Sequence, residues 1–153
     1  MKRHESLIPL SHQHHDALIL AQLIKKNSPP YKGLPTGLNG KREYTLNFFK
    51  DHLVPHFEAE ELILIPFILG KNKDIDILSE QIVKEHNDIA DLVENIRVEE
   101  NVESNLDKLG NLITLHVRKE ERELFEKIQE VFPEKKLIIL SKQLSHIVKK
   151  STC

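Results

Sequence analysis

An all-α fold is what this sequence predicts: an up-down-up-down four-helix bundle followed by a short C-terminal helix. Three observations predict it. Apolar residues recur at three- and four-residue steps through four long segments. Proline- and glycine-bearing stretches separate the segments, and the connections are mostly short, as antiparallel neighbours require. Strand signals are weak. Period-2 alternation is scarce, and helical periodicity follows Asn39-Gly40, the nearest approach to a hairpin turn.

The first segment runs from about Ile8 to Lys26, with Leu7, Leu10, Ala17, Leu18, Ala21 and Ile24 on its apolar face. It ends in Asn27 to Gly40, a loop holding three prolines and three glycines. The second, about Lys41 to Leu69, carries Leu46, Phe49, Leu53, Ile63 and Phe67 and closes at Gly70. Pro55 lies inside it and is expected to kink it or start it afresh. The third, about Asp74 to Arg97, begins behind an Asp placed to cap it. Its stripe is Ile75, Leu78, Ile82, Ile89, Val93 and Ile96. The fourth, about Val102 to Phe132, carries Leu106, Leu109, Ile113, Leu124, Ile128 and Val131 and stops at Pro133. The tail to Lys150 reads as one more helix with Pro in its first turn. With 153 residues the chain is expected to be a single domain, residues 1–153. The bundle takes about 7–132 of it and the last helix about 133–150.

Composition excludes several function classes. A formal net charge of −2 lacks the basic excess of a nucleic-acid binder. No stretch approaches the roughly 18 apolar residues of a membrane helix. The N-terminus is basic but has no apolar h-region, so a cytoplasmic location is expected. The one cysteine is Cys153, which excludes a disulfide framework and a thiolate zinc site. Histidine is abundant instead, with nine residues.

Each apolar stripe has a gap filled by a histidine: His14, His56, His86 and His116. Glu60 lies four residues after His56, and Glu120 four after His116, so each pair shares a helix face. Four imidazoles and two carboxylates thus point into one bundle interior. Burying such groups without partners is costly. No Lys or Arg lies on the stripes near them, so a metal ion, and better a pair, is the expected partner. Nitrogen and oxygen donors without thiolate favour iron, manganese or zinc. Chance predicts about 0.2 copies of the pattern H-x-x-x-E-E in such a chain. It occurs twice, as His56 to Glu61 and as His116 to Glu121. Gln13-His14-His15-Asp16 and Glu85-His86-Asn87-Asp88 also echo each other. The chain therefore reads as two helix pairs, each with a lone His and an H-x-x-x-E.

These motifs resemble the hemerythrin-like (HHE cation-binding) family over about Leu7 to Phe132, most specifically in His56-Phe57-x-x-Glu60-Glu61. The resemblance implies a four-helix bundle with two non-heme iron ions, bridged by carboxylates and an oxo or hydroxo group. It implies His14, His56, His86 and His116 as terminal ligands, with Glu60 and Glu120 as bridges. Family members carry or sense O2, handle nitric oxide, or store and deliver iron. The chain departs from the oxygen carriers at two places. Ala90 stands four residues after His86, where they have a second histidine. Glu120 stands four residues after His116, where they have an Asp at the fifth place, here Glu121. The ligand set is more similar to members linked to iron–sulfur repair and to iron or oxygen sensing.

Alternatives remain at three positions. His15 lies about 100° round the first helix from His14 and is the other candidate there, as ligand or outer partner. Glu61 replaces Glu60, or Glu121 replaces Glu120, if the helix phase shifts. His52, one turn before His56, reads as an ordinary, partly exposed His near Pro55, with an outer partner of the site as the lesser reading; Glu58 and Glu61 are solvated or outer, and His4, His12 and His146 are surface residues. The run Arg118 to Glu123 reads as mostly a solvated face apart from Glu120. The expected function is a protein that binds or senses O2, NO or iron. A small di-iron oxidase or peroxidase is the alternative, and a non-metallic helical interaction module the third reading. No Glu lies three residues before any His, which argues against a ferritin-type oxidase.

Overall fold

The structure is a computed structural model; it describes residues 2–151, with the side chains of residues 2–145. Five helical stretches account for it, and no strand occurs among the described residues. Helix α1 spans Ile8–Ile24, α2 residues 38–68, α3 Lys73–Arg97, α4 residues 102–131 and α5 Glu134–Ser151. The second helix starts at Leu38, inside the expected loop, with Gly37 at its N-cap. The cap of α3 is Asn72, whose Oδ1 accepts from the backbone N–H of Asp74 and Ile75 at 2.9 and 3.2 Å. The expected Asp cap is thus replaced by an Asn two residues before Asp74. Either side chain can accept from the orphan N–H groups, and Asn72 has the extended backbone a cap needs.

Two helices are not uniform. A single π turn interrupts α2 at Phe49–Leu53 and again at Glu60–Leu64, and one interrupts α4 at Glu120–Leu124. The bonds that close them run from Val54 N–H to Phe49 O, Ile65 N–H to Glu60 O and Phe125 N–H to Glu120 O. Pro55 and Pro66 follow two of these turns and lack the N–H a regular α ladder would use. The wider turn absorbs the missing donor, so α2 runs through Pro55 instead of restarting there.

Each π turn also shifts the helix phase by one residue. Adjacent residues Leu64-Ile65 and Leu124-Phe125 are all buried. Ile63 and Phe67, expected on the core stripe of α2, are only half-buried. The buried face of α2 is instead Phe48, Leu53, His56, Phe57, Ala59, Glu60, Leu64, Ile65 and Ile68.

The core has two apolar clusters. One gathers Leu10 of α1, Leu64 of α2, Ile82 of α3, Leu124 and Phe125 of α4, and Leu137, Leu140 and Leu144 of α5. The other gathers Ala17 of α1, Leu53 of α2, Ile89 of α3 and Ile113 of α4. Between the two, each of the first four helices contributes one buried histidine. The fifth helix covers the first cluster, against the middle of α2.

Helices α1 and α4 approach closely where Gly110 meets α1. A Cβ there would stand 2.6 Å from the carbonyl oxygen of Ala21 and 2.9 Å from Cγ of Lys25. A backbone oxygen cannot swing away, so Gly110→Ala must push two helices apart. The substitution is expected to destabilise by about 1–3 kcal/mol despite Ala's better helix propensity. A thermal melt unchanged from the parent contradicts this close-packed account of α1 and α4.

Candidate metal centre

Glu60 and Glu120 are fully buried, at 0% exposure, and His14, His56, His86 and His116 are 2–3% exposed. All six meet in the layer between the two apolar clusters. Among the described residues, only histidines come within 4 Å of the two carboxylates as cationic partners. His56 Nε2 is 3.1 Å and His86 Nε2 3.2 Å from Oε1 of Glu60. His116 Nε2 is 2.7 Å from Oε1 of Glu120, and His14 Nε2 is 3.0 Å from its Oε2.

These groups form two quartets whose candidate ligand atoms lie within 4.8 Å of one another. One is His14, His56, Glu60 and Glu120, and the other is Glu60, His86, His116 and Glu120. Both carboxylates belong to both quartets. Most approaches are short without being hydrogen bonds, because the nitrogen and oxygen lone pairs converge on common points. His14 Nε2, His56 Nε2, His116 Nε2, Glu60 Oε2 and both carboxylate oxygens of Glu120 are buried with no hydrogen-bond partner. Orphans on this scale are rare in native interiors. Each quartet, with two imidazoles and two carboxylates, is a donor set that fits a metal cation.

The imidazoles are held from outside. His56 donates from Nδ1 to Oε1 of Gln13 at 2.6 Å, His86 to Oε2 of Glu61 at 2.8 Å, and His116 to Oε1 of Glu85 at 2.7 Å. Nδ1–H in each ring turns the Nε2 lone pair inward, as a metal-ligating imidazole requires. Phe57 stacks on His86 with ring centroids 3.9 Å apart, and Phe125 on His14 at 5.6 Å. Carboxylates on the surface side are tied down in turn: Lys119 pairs with Glu85, and Glu121 accepts from Oγ of Ser11 at 2.9 Å.

With protons as the only cations, the charges divide unevenly. Burial alone lowers the pKa of an imidazole, yet the nearby Glu120 carboxylate pushes His14 up to about 9 and His116 up to about 10. Burial and repulsion from Glu120 push Glu60 up to about 7. Burial opposes the charge on Glu120 too, but His116 and His14 hold it well below the usual carboxylate range. His14, His116 and Glu60 all have raised values. Their stabilising effect is present at low pH and is lost as pH rises through about 7 for Glu60 and about 9 to 10 for the histidines. Glu120 acts in the opposite sense, and its contribution is lost only in acid. After chelation, the protein is therefore expected to melt at a lower temperature at pH 10 than at pH 6.5. A chelated protein whose melting temperature rises over that interval contradicts the charge assignment.

The model of the hemerythrin HHE cation binding domain matches residues 6–128. The chain belongs to the hemerythrin HHE family. No curated protein and no solved structure matches it. In this HHE chain the first-helix alternative is excluded from the layer, since His15 is exposed while His14 is buried. On α4, Glu120 is inside and Glu121 is half-buried outside it. Ala90 is half-buried and offers no donor.

His52 is exposed, in line with its ordinary reading, and packs on Phe48 with centroids 4.9 Å apart. One surface expectation needs correction. His4 is half-buried, with Nδ1 2.8 Å from Oγ of Ser6 and Nε2 2.9 Å from Glu134, because the N-terminal segment folds back onto α5. In the run Arg118 to Glu123, Arg118, Arg122 and Glu123 are exposed as expected, while Lys119 and Glu121 are half-buried against the outer partners. His146 lies outside the residues whose side chains are described. Sequence reasoning did not assign Gln13 or Glu85 as partners. The echo between Gln13-His14 and Glu85-His86 was the signal, since residues just before the lone histidines face the next helix.

Proposed function

We propose that this HHE chain is a di-iron protein that binds or senses O2, NO or iron in the cytoplasm. The observation that carries the reading is the pair of quartets sharing both buried carboxylates, with their inward donor atoms lacking partners. His14 and His56 would hold one ion, His86 and His116 the other, and Glu60 and Glu120 would bridge. Bound iron supplies a redox-active Lewis acid able to take a diatomic ligand. Manganese or zinc satisfies the same nitrogen and oxygen donors.

The protein's own part is to orient and to exclude water. Gln13, Glu61 and Glu85 fix three rings, while Phe57 and Phe125 wall the layer. The order in which α1 to α4 visit the two apolar clusters alternates, which supports the up-down-up-down bundle as one domain. That topology brings one histidine from each helix to the same level. No described helix is long and apolar enough to cross a membrane.

Ala90 favours a second reading. One histidine fewer than in the oxygen carriers leaves room for chemistry on a bound peroxide or O2, so a small oxidase or peroxidase is the alternative.

Metal content with the optical spectrum of the reduced protein, before and after air, tests the proposal. About two iron per chain is expected, with a charge-transfer band that appears with O2. A folded protein holding fewer than about 0.3 ions, and taking up none on reconstitution, overturns it. Multiple-turnover consumption of O2 or peroxide decides for the enzyme.

A further inference from the structure

The outer hydrogen bonds form a ring around the bundle, each helix serving the next. Gln13 of α1 accepts from His56 of α2, Glu61 of α2 from His86 of α3, and Glu85 of α3 from His116 of α4. Glu121 of α4 closes the ring toward His14 of α1 at 3.6 Å. The internal repeat maps Gln13 on Glu85 and Glu61 on Glu121. The geometry obeys that repeat, and the charge breaks it.

On one side, His86 and His116 both donate to carboxylates, at 2.8 and 2.7 Å. On the other, His56 donates to a neutral amide, and Nδ1 of His14 has no hydrogen-bond partner. The Glu121 carboxylate is engaged by Ser11 at 2.9 Å and lies 3.7 Å from Arg3. Lys119 offsets part of the charge of Glu85, but His116 keeps its short bond to that carboxylate. The bridges do not discriminate, since each of Glu60 and Glu120 lies near one histidine of each pair at 2.7–3.2 Å.

A carboxylate accepting from Nδ1–H makes the imidazole a stronger donor at Nε2, and loss of such a partner typically costs about 10–100-fold in metal affinity. Resting on the dinuclear reading, we propose that the two metal positions are inequivalent by construction. The position between His86 and His116 fills first and the one between His14 and His56 second, because two imidazoles of the first position and none of the second are held by a carboxylate; the Gln13–Glu85 difference is half of that asymmetry. Gln13 and Glu85 are positioning residues, acting on the metal through His56 and His116.

Anaerobic titration with Co(II) alone, followed by its visible absorption, tests this without redox chemistry. The unsubstituted chain is expected to bind two Co(II) in two steps. His14→Ala, which keeps the His86 and His116 pair, is expected to bind its ion at least about 10-fold tighter than His116→Ala, which keeps the other pair. Gln13→Glu retains every ligand and is expected to draw the two steps of the full chain together. Glu85→Gln is expected to do the same by weakening the first step, and the double exchange, which leaves one carboxylate-held imidazole at each position, to bring the steps together most closely. Should the histidine variants fail to fold, the Gln13→Glu titration decides by itself. Two equivalents bound with steps that Gln13→Glu does not move, or with His116→Ala binding as tightly as His14→Ala, overturn the inequivalence and leave the dinuclear reading standing. An unsubstituted chain that takes up no cobalt overturns both.

Discussion

Glu120→Ala is expected to leave fewer than about 0.3 ions per chain after iron reconstitution, against about two for the unsubstituted protein. Glu120 is wholly buried and belongs to both quartets, so its removal takes a donor from each position at once. It also leaves His14 and His116 without the anion that they face at 3.0 and 2.7 Å. Circular dichroism on the same sample separates loss of metal from loss of fold. Glu121→Ala is the companion measurement, since Glu121 lies outside the layer and is expected to leave both ions in place. Full metal content in Glu120→Ala, or its loss in Glu121→Ala, means that the two residues have exchanged roles.

Phe125→Ala is expected to cost about 3–5 kcal/mol, a fall in melting temperature of roughly 10 °C for a domain of this size. Phe125 is wholly buried and stacks on His14, with the Arg3 guanidinium carbon 5.3 Å from its ring centroid. Its removal opens a cavity beside the polar layer, and the π turn before it limits how far the helix can collapse into the space. Leu115→Ala is the contrast. Leu115 is 62% exposed, and its truncation is expected to stay within about 0.5 kcal/mol of the parent. Equal effects of the two substitutions on the melting temperature contradict the packing described for α4.

Much of the centre was legible because its spacing is local. Residues four apart share a helix face whatever the helix packs against, so His56 with Glu60 and His116 with Glu120 could be paired on paper. The choice of His14 over His15 followed from the apolar stripe in the same way. The phase of α2 beyond Glu60 was not legible. A count by threes and fours assumes 3.6 residues per turn, and each π turn adds a residue that the count does not see. That count puts Ile63 and Phe67 on the core face, and Leu64 and Ile65 occupy it. Pro55 and Pro66 were the available clue, since neither fits a regular ladder without some adjustment.

What the sequence determined by itself is the helical class, the approximate helix limits and the presence of four histidines and two carboxylates on apolar stripes. All of these rest on backbone periodicity within single segments. Tertiary structure decided which imidazole faces which carboxylate, which outer residue holds the rings of His56, His86 and His116, and which of the described histidines stay outside the layer. Those choices depend on distances between helices. The bonds from Gln13 to His56 and from Glu85 to His116 join residues 43 and 31 positions apart, and no period along the chain encodes them. The charge difference between those two bonds was visible as letters all along. It acquired a physical meaning only when packing set each letter against a particular ring.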